Sequence, residues 1–424
     1  LLRVREFCLA EIEHFCDPLD KTHSKFSHVV GTSMVLFDRE GQLGSGRTVT
    51  MTIGEAVRMG KVDNETLGYY MARTQLFLER VGVDPAKMRF RQHLQTEMAH
   101  YAQDCWDLEI MTVHGWVECV GHADRAAYDL EHHSAKSGVP LVASRQLSEP
   151  IVVNRVVVEP NKKAIGPIFK GDQKKVIAIF EAMDDTAVEA FKAELEANGD
   201  GGVMLDGLYK ITPDLVSFKA EKKNVSEVKY TPSVVEPAFG IGRIIYAILE
   251  HSFSQRNGNE QRCVMSFPPF VAPIKVGIYQ LVKNSAFEPF LNRIQSSFVK
   301  DAISVKVDDG SVTIGRRYAR ADEIGIPFGV TIDFQTLIDD TVTVRDRDTM
   351  AQIRVPISSL TKLIGNLVLG DVSWATAMKC FNVVNQEGDD AYTEDEKGAE
   401  KKPVVVETYT RGSFSRPNPS FGAK

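Results

Sequence analysis

The 424-residue chain is 43% hydrophobic and 25% charged, with a formal net charge of −7. That composition allows two or three packed domains and excludes a general nucleic-acid coat, so RNA contact would have to use local basic patches. Six cysteines, Cys8, Cys16, Cys105, Cys119, Cys263 and Cys380, form no C-x-x-C pair, which argues for reduced thiols in a cytosol-like compartment and against disulfides or structural zinc. No apolar run is long enough to span a membrane and no signal-peptide pattern opens the chain. It starts at Leu1 inside a strand-like LLRVREF and so reads as a fragment or a processed product.

Residues 1–15, LLRVREFCLAEIEHF, read as a strand, with Glu11 as either a solvated strand-face carboxylate or a site residue. Residues 21–45 read as irregular. Two helical patterns follow over 54–83, where Leu67, Tyr70, Met71, Thr74, Gln75 and Leu78 repeat at helix spacing. Residues 88–110 alternate His, Arg and acids with apolar residues, as strands over a polar cleft do. His93, Glu97 and His100 lack the H-E-x-x-H spacing, so hydrogen-bonded histidines are expected there and no metal. WVECVG, 116–121, alternates as a strand, and 123–134 continues as a helix that Asp124 can cap. Glu118 and Arg125 read either as site residues or as an ion pair with each other.

Residues 139–229 have the texture of an α+β insertion: a strand VVNRVVVEP, one long amphipathic helix over 174–197, an N-G-D-G-G turn, and short strands at 216–218. Its lysines, Lys162, Lys163, Lys170, Lys174 and Lys175, read as a solvated face or as phosphate contacts. Residues 232–253, PSVVEPAFGIGRIIYAILEHSF, read as strand, tight turn and helix. Glycines at such a turn allow close approach by a ligand, Arg243 adds positive charge to a helix start that already favours anions, and Glu236 offers the opposite charge. A polar connector (254–262) then leads into strands near 271–281 and 303–307, helices at 287–299 and after Gly310, and the strands VTIDF and TVTVRDR, a small mixed α/β domain. Arg316, Arg317 and Arg320 beside Tyr318 suit an unstacked RNA loop, or pair with Asp308, Asp309, Asp322 and Glu323. From about residue 385 the chain reads as a solvated tail with one short strand at 404–409.

The run E-P-A-F-G-I-G-R from Glu236 to Arg243 resembles motif 3 of class II aminoacyl-tRNA synthetases, in the form found in the α2, eukaryotic and archaeal type glycyl-tRNA synthetases. Residues 1–15 resemble the second half of motif 2, and the likeness extends to about Arg354. The resemblance implies an α+β fold: a class II antiparallel-sheet catalytic domain over 1–262, truncated before motif 1 and the first half of motif 2, with an insertion at about 139–229. An α/β anticodon-binding domain over 263–384 and a polar tail over 385–424 would follow. The implied reaction is ATP-dependent activation of glycine to glycyl-adenylate and transfer to the 3′ end of tRNA(Gly), with Mg²⁺ brought by ATP and no firm metal site. It further implies a homodimer in the full-length protein, no membrane association, and a cytoplasmic location with a mitochondrial pool left open.

By that resemblance Arg243 and Glu118 are catalytic, and Glu11, Arg125, Glu236, Pro237 and Ala238 bind glycine. Arg3, Val4, Glu118, Cys119 and Arg243 lie against ATP, and Arg316, Arg317 and Arg320 meet tRNA. Ala238 stands where many members carry serine, so a hydroxyl contact is missing. The alternative is a non-catalytic nucleic-acid-binding protein on the same fold, as in the accessory subunit of mitochondrial DNA polymerase.

Overall fold

A computed structural model describes residues 2–256 and 259–384. The N-terminal strand expected over 1–15 is two short ones, β1 (Leu9–Glu11) and β2 (His14–Cys16), after an irregular stretch at 2–8. The segment expected to be irregular contains β3 (Ser33–Phe37), whose Met34 and Leu36 are fully buried, and α1 (Arg39–Leu43). Then come β4 (Val49–Thr52), α2 (Ile53–Arg58) and α3 (Glu65–Val81). Thr52 and Glu55 close a capping box on α2, while Asn64 caps the start of α3 and Gly82, in the left-handed region, ends it. Leu67, Met71 and Leu78 face the core from α3 as the spacing requires, each burial stabilising by about 1.5–3 kcal/mol. β5 (Met88–Gln92), β6 (Asp104–Thr112) and β7 (Gly115–Asp124) complete this stretch.

Asp124 does not cap the next helix. It ends β7, fully buried, and takes 2.8 Å bonds from Lys21 Nζ and Asn64 Nδ2; α4 starts later (Tyr128–Ser137). Residues 127–233, with 17–19, form a compact unit of their own. In it β8 (Ala143–Pro160) is followed by α5 (Lys162–Phe169), α6 (Gln173–Ala182), α7 (Asp185–Asn198), β9 (Val203–Leu205), β10 (Tyr209–Ile211) and β11 (Val216–Tyr230). The single helix expected at 174–197 is α6 and α7, broken where the Asp184 side chain accepts from Ala187 N–H and starts a new helix. β11 is far longer than the expected 216–218 and pairs with β8 along a two-stranded ribbon. Ile165, Val176, Phe180, Phe191 and Ile211 fill the core of this unit.

β12 (Ser233–Gly240) returns to the first sheet and runs straight into α8 (Ile241–Ser252) without a separate turn. The sheet order is β1-β12-β7-β6-β5-β3-β4, with β2 also on β12, and along that path neighbours are antiparallel except for β3 and β5. Pro237 lies in β12, which is paired on both sides, and the gap between β1 and β2 at residues 12–13 falls opposite it. Ile12 N–H donates to Pro237 C=O (3.0 Å), and no partner needs the N–H that proline lacks. One face of this sheet packs on α3 and α8 around Trp106, Leu108, Val120, Val235 and Ile244. The other face carries the polar residues.

The expected connector is a hairpin instead, β13 (Phe253–Arg256) and β14 (Asn259–Met265). The C-terminal sheet then runs through β15 (Val276–Gln280), α9 (Glu288–Lys300), β16 (Val305–Asp308), α10 (Ile314–Glu323), β17 (Phe328–Ile332), α11 (Thr336–Asp339), β18 (Thr341–Asp346), β19 (Gln352–Pro356), α12 (Ile357–Leu369), α13 (Trp374–Cys380) and β20 (Asn382–Val384). Its order is β16-β15-β17-β18-β19-β20, parallel at β15 with both neighbours and antiparallel beyond β17. Buried Asp322 on α10 pairs with Arg345 and with Arg256 of the hairpin. The expected tail and its strand at 404–409 lie outside the described residues.

Candidate active site

Strand register alone assembles the site. Residues directly opposite one another in a sheet share a face, so one row reads Arg91, Asp107, Gly121, Ala238, Glu11 across β5, β6, β7, β12 and β1. The next row brings Cys105, Ala123 and Glu236 together, and on the other side Arg89, Glu109 and Glu118 line up. The middle is floored by Gly121, Ala123 and Ala238. Charged side chains stand around it.

Two ion pairs flank this floor. Arg125, in the bend after β7, donates to Glu236 Oε2 at 2.7 Å and stacks its guanidinium over the Tyr101 ring at 4.4 Å. Arg243, in the first turn of α8, lies 3.8 Å from the Glu118 carboxylate and donates to the Glu118 and Leu2 carbonyls at 2.6 and 3.2 Å. Glu118 and Arg125 therefore do not pair with each other, as one reading of the sequence had it; each answers a residue from the 232–253 segment. The surrounding protein, with Asp107 and Glu109 adding negative charge, pushes the Glu118 carboxyl above the ordinary range against the pull of Arg243. Gly240 permits the close approach of β12 to β7 here, since a Cβ would stand 3.2 Å from the Cys119 carbonyl.

Some expected residues are placed elsewhere. Pro237 alternates onto the packed face of β12, away from Glu236 and Ala238, because successive strand residues point to opposite sides. The Cys119 thiol is buried in the core, where burial raises it to about 12, so only its backbone reaches the polar side. Arg3 and Val4 are exposed in the irregular N-terminal stretch, next to the Leu2 carbonyl that Arg243 holds. Glu11 is exposed on β1, the last strand of the sheet path.

On α10 the three arginines separate. Arg317 is 4% exposed and donates to the Asp308 and Leu281 carbonyls, and Tyr318 is buried with its hydroxyl on Thr331, so neither can meet an external base. Arg316 is exposed, and Arg320, half exposed, pairs with Asp308 at 2.9 Å. Helix spacing explains the split, since 317, 318 and 321 fall on the packed stripe.

The sequence reading passed over Arg89, Arg91, Asp107, Glu109 and Tyr101. Asp107 accepts from His93 Nε2 at 2.8 Å, and that contact raises the His93 imidazole. Arg89 lies over Trp116 and bonds Glu109 at 2.7 Å, while Arg91 bonds Glu97 at 2.9 Å. The signal of the four charged residues was the alternation within R-F-R and D-L-E, which predicts one polar face but cannot say that this face is the site's; Tyr101, outside the strands, had none.

Residues 270–367 match a family model described as an anticodon binding domain. The chain is 48% identical over 380 residues to a protein named glycine–tRNA ligase from Caenorhabditis elegans, covering 89% of this chain and 51% of that one. It is 46% identical over 384 residues to glycine–tRNA ligase 1, mitochondrial, from Saccharomyces cerevisiae (89% and 56% covered), and 42% identical over 367 residues to a glycine–tRNA ligase from Methanocaldococcus jannaschii (85% and 63%). The chain spans between about half and just under two thirds of the length of these relatives. A solved prolyl-tRNA synthetase from Cryptosporidium parvum aligns with a TM-score of 0.39 at 14% identity over 76% of this chain and 47% of that one, too distant a likeness to bear on the fold.

Proposed function

We infer that this chain is the greater part of a glycine–tRNA ligase, carrying its catalytic sheet and its anticodon-binding domain. The observation that carries the reading is the meeting of Glu236, Arg125, Glu118 and Arg243 around a floor of small residues. On this reading the catalytic domain is residues 1–262, interrupted by the 127–233 unit, and the anticodon-binding domain is residues 263–384.

In the first step a glycine carboxylate oxygen attacks the α-phosphorus of ATP. The bond from that phosphorus to the bridging oxygen breaks, and pyrophosphate leaves. In the second, a ribose hydroxyl at the 3′ end of tRNA(Gly) attacks the glycyl carbonyl and AMP leaves. Neither step needs a covalent bond to the protein, so positioning and charge stabilisation are what its side chains supply. Arg243 would hold phosphate oxygens at the start of α8, where the helix dipole adds to its charge. The Glu236 carboxylate would receive the substrate ammonium with Arg125 holding it in place, and Glu11 would add negative charge from the edge. Arg3, Val4 and the Cys119 backbone would contribute only along the nucleotide.

Mg²⁺ would arrive with ATP and neutralise phosphate charge. Glu118 would offer that ion an oxygen donor, whereas Glu109, opposite it across β6 and β7, is held by Arg89 at 2.7 Å and Arg91 at 3.5 Å. The exposed Arg316 and Arg320 are the tRNA contacts this reading keeps, with Arg317 a core residue beneath them. A homodimer in the full-length protein and a cytoplasmic location with a mitochondrial pool belong to the same proposal.

Calorimetric titration with a non-hydrolysable glycyl-adenylate analogue, with the alanyl analogue as control, tests it. Tight binding selective for glycine, lost in Glu236→Ala, is the expected outcome; undiminished binding in that variant removes Glu236 from the site. If the folded chain binds neither analogue, the non-catalytic nucleic-acid-binding alternative takes its place.

A further inference from the structure

Gly121 stands in the interior of β7, paired on both sides, opposite Asp107 on β6 and Ala238 on β12. A glycine in such a place costs about 0.5–1 kcal/mol relative to alanine, and nothing in the fold requires it. Its φ is not in the left-handed region, and the register shift in the β6–β7 ladder falls at Leu108/Glu109. A Cβ built on Gly121 would meet a single heavy atom within 4 Å, Asp107 Oδ1 at 3.9 Å, which is ordinary van der Waals contact. Gly277 and Gly202 show what necessity looks like: there the built Cβ collides with Tyr279 at 2.1 Å and with the Ile211 carbonyl at 2.5 Å.

The space above Gly121 is therefore left open by the protein itself. Its neighbours on the same face, Ala123 and Ala238, are also small, while Glu236 with Arg125 and Glu118 with Arg243 stand to either side along the strands. A mid-strand glycine that the fold does not need, at the centre of a charged rim, marks a place where a ligand comes down onto the main chain.

We propose that Gly121 is a specificity-determining residue of the amino-acid site, its bare backbone being the surface on which the α-carbon of the substrate rests. This deepens the reading of glycine activation and rests on it. With the ammonium drawn to Glu236, one α-hydrogen faces the floor. A side chain in place of that hydrogen meets main chain, which does not yield, so exclusion here is steric and needs no editing step. By the same geometry, a methyl group added to the floor from the protein side competes with the substrate for one space.

The test is Gly121→Ala and Gly121→Ser, each measured by thermal unfolding and by calorimetric titration with the glycyl-adenylate analogue and with the same analogue lacking its glycyl group. Both variants are expected to unfold at or above the temperature of the unaltered chain and to bind the compound without glycyl unchanged. The complete analogue should bind roughly tenfold or more weakly, one methylene in a tight pocket commonly being worth that much. Unchanged affinity for the complete analogue in either variant overturns the inference alone. Loss of thermal stability in both also overturns it, because the fold would then require the glycine. If the unaltered chain binds no analogue, glycine activation itself is overturned and the inference falls with it.

Discussion

At His122 the sheet's packed face makes a prediction that involves no ligand. The ring is 1% exposed, its Nδ1–H donating to the Trp106 carbonyl (3.2 Å) and its Nε2 accepting from the Thr74 hydroxyl (2.9 Å). Burial lowers its pKa from 6.5 to about 4. The unfolded chain thus takes up a proton below 6.5 that the folded chain refuses until about 4, so stability is full above 6.5 and falls as the pH drops through that window. From about pH 7 to about pH 5 the loss should be about 2 kcal/mol, visible in urea unfolding and absent from that slope in His122→Gln. An equal slope in the variant would show that His122 is not its source. Gly121, its neighbour on the opposite face, was legible only as a strand residue, because an empty space has no signature in the sequence.

At the scale of elements, helices with caps and one apolar stripe were readable: α2 and α3 lie where 3.6-residue spacing puts them, since a single face is buried. β11 was not, for the converse reason. A two-stranded ribbon with both sides largely in water imposes no period, and K-A-E-K-K-N-V-S-E-V-K-Y has none. Inside the long helical pattern at 174–197 the competing signal was M-D-D, where a side-chain cap offers the backbone a better partner than another helical turn. Asp184→Ala should therefore cost the insertion unit about 1 kcal/mol in chemical denaturation. A stabilised variant would mean that α6 and α7 favour joining into one helix.

For the whole molecule, the insertion leaves and re-enters the first sheet at one point. Arg125 N–H donates to the Val234 carbonyl (2.8 Å), and Val234 N–H to the Ala126 carbonyl (2.9 Å). The 127–233 unit also has its own hydrophobic core. Joining Ala126 to Val234 through a short glycine linker should leave a chain that still unfolds cooperatively, because loop closure at this site adds little entropy cost. Absence of a cooperative transition by circular dichroism would show that the sheet depends on the insertion.

The sequence alone determined the strand–helix segment with Glu236 and Arg243, the α+β texture of the stretch before it and the alternating strands and helices after it, because periodicity, turn residues and charge are local quantities written along the chain. It also carried the resemblance through which the site residues were named. Only the tertiary structure decided the partners: that Glu118 answers Arg243 and Arg125 answers Glu236, that Pro237 and the Cys119 side chain turn to the packed face, that Arg317 is core, and that three small residues share a floor. Those facts depend on how the helices pack and on which strands lie side by side in what register. Register comes from long-range pairing, and a slip of one residue would move the strand side chains Glu118, Cys119, Glu236, Pro237 and Ala238 to the other face.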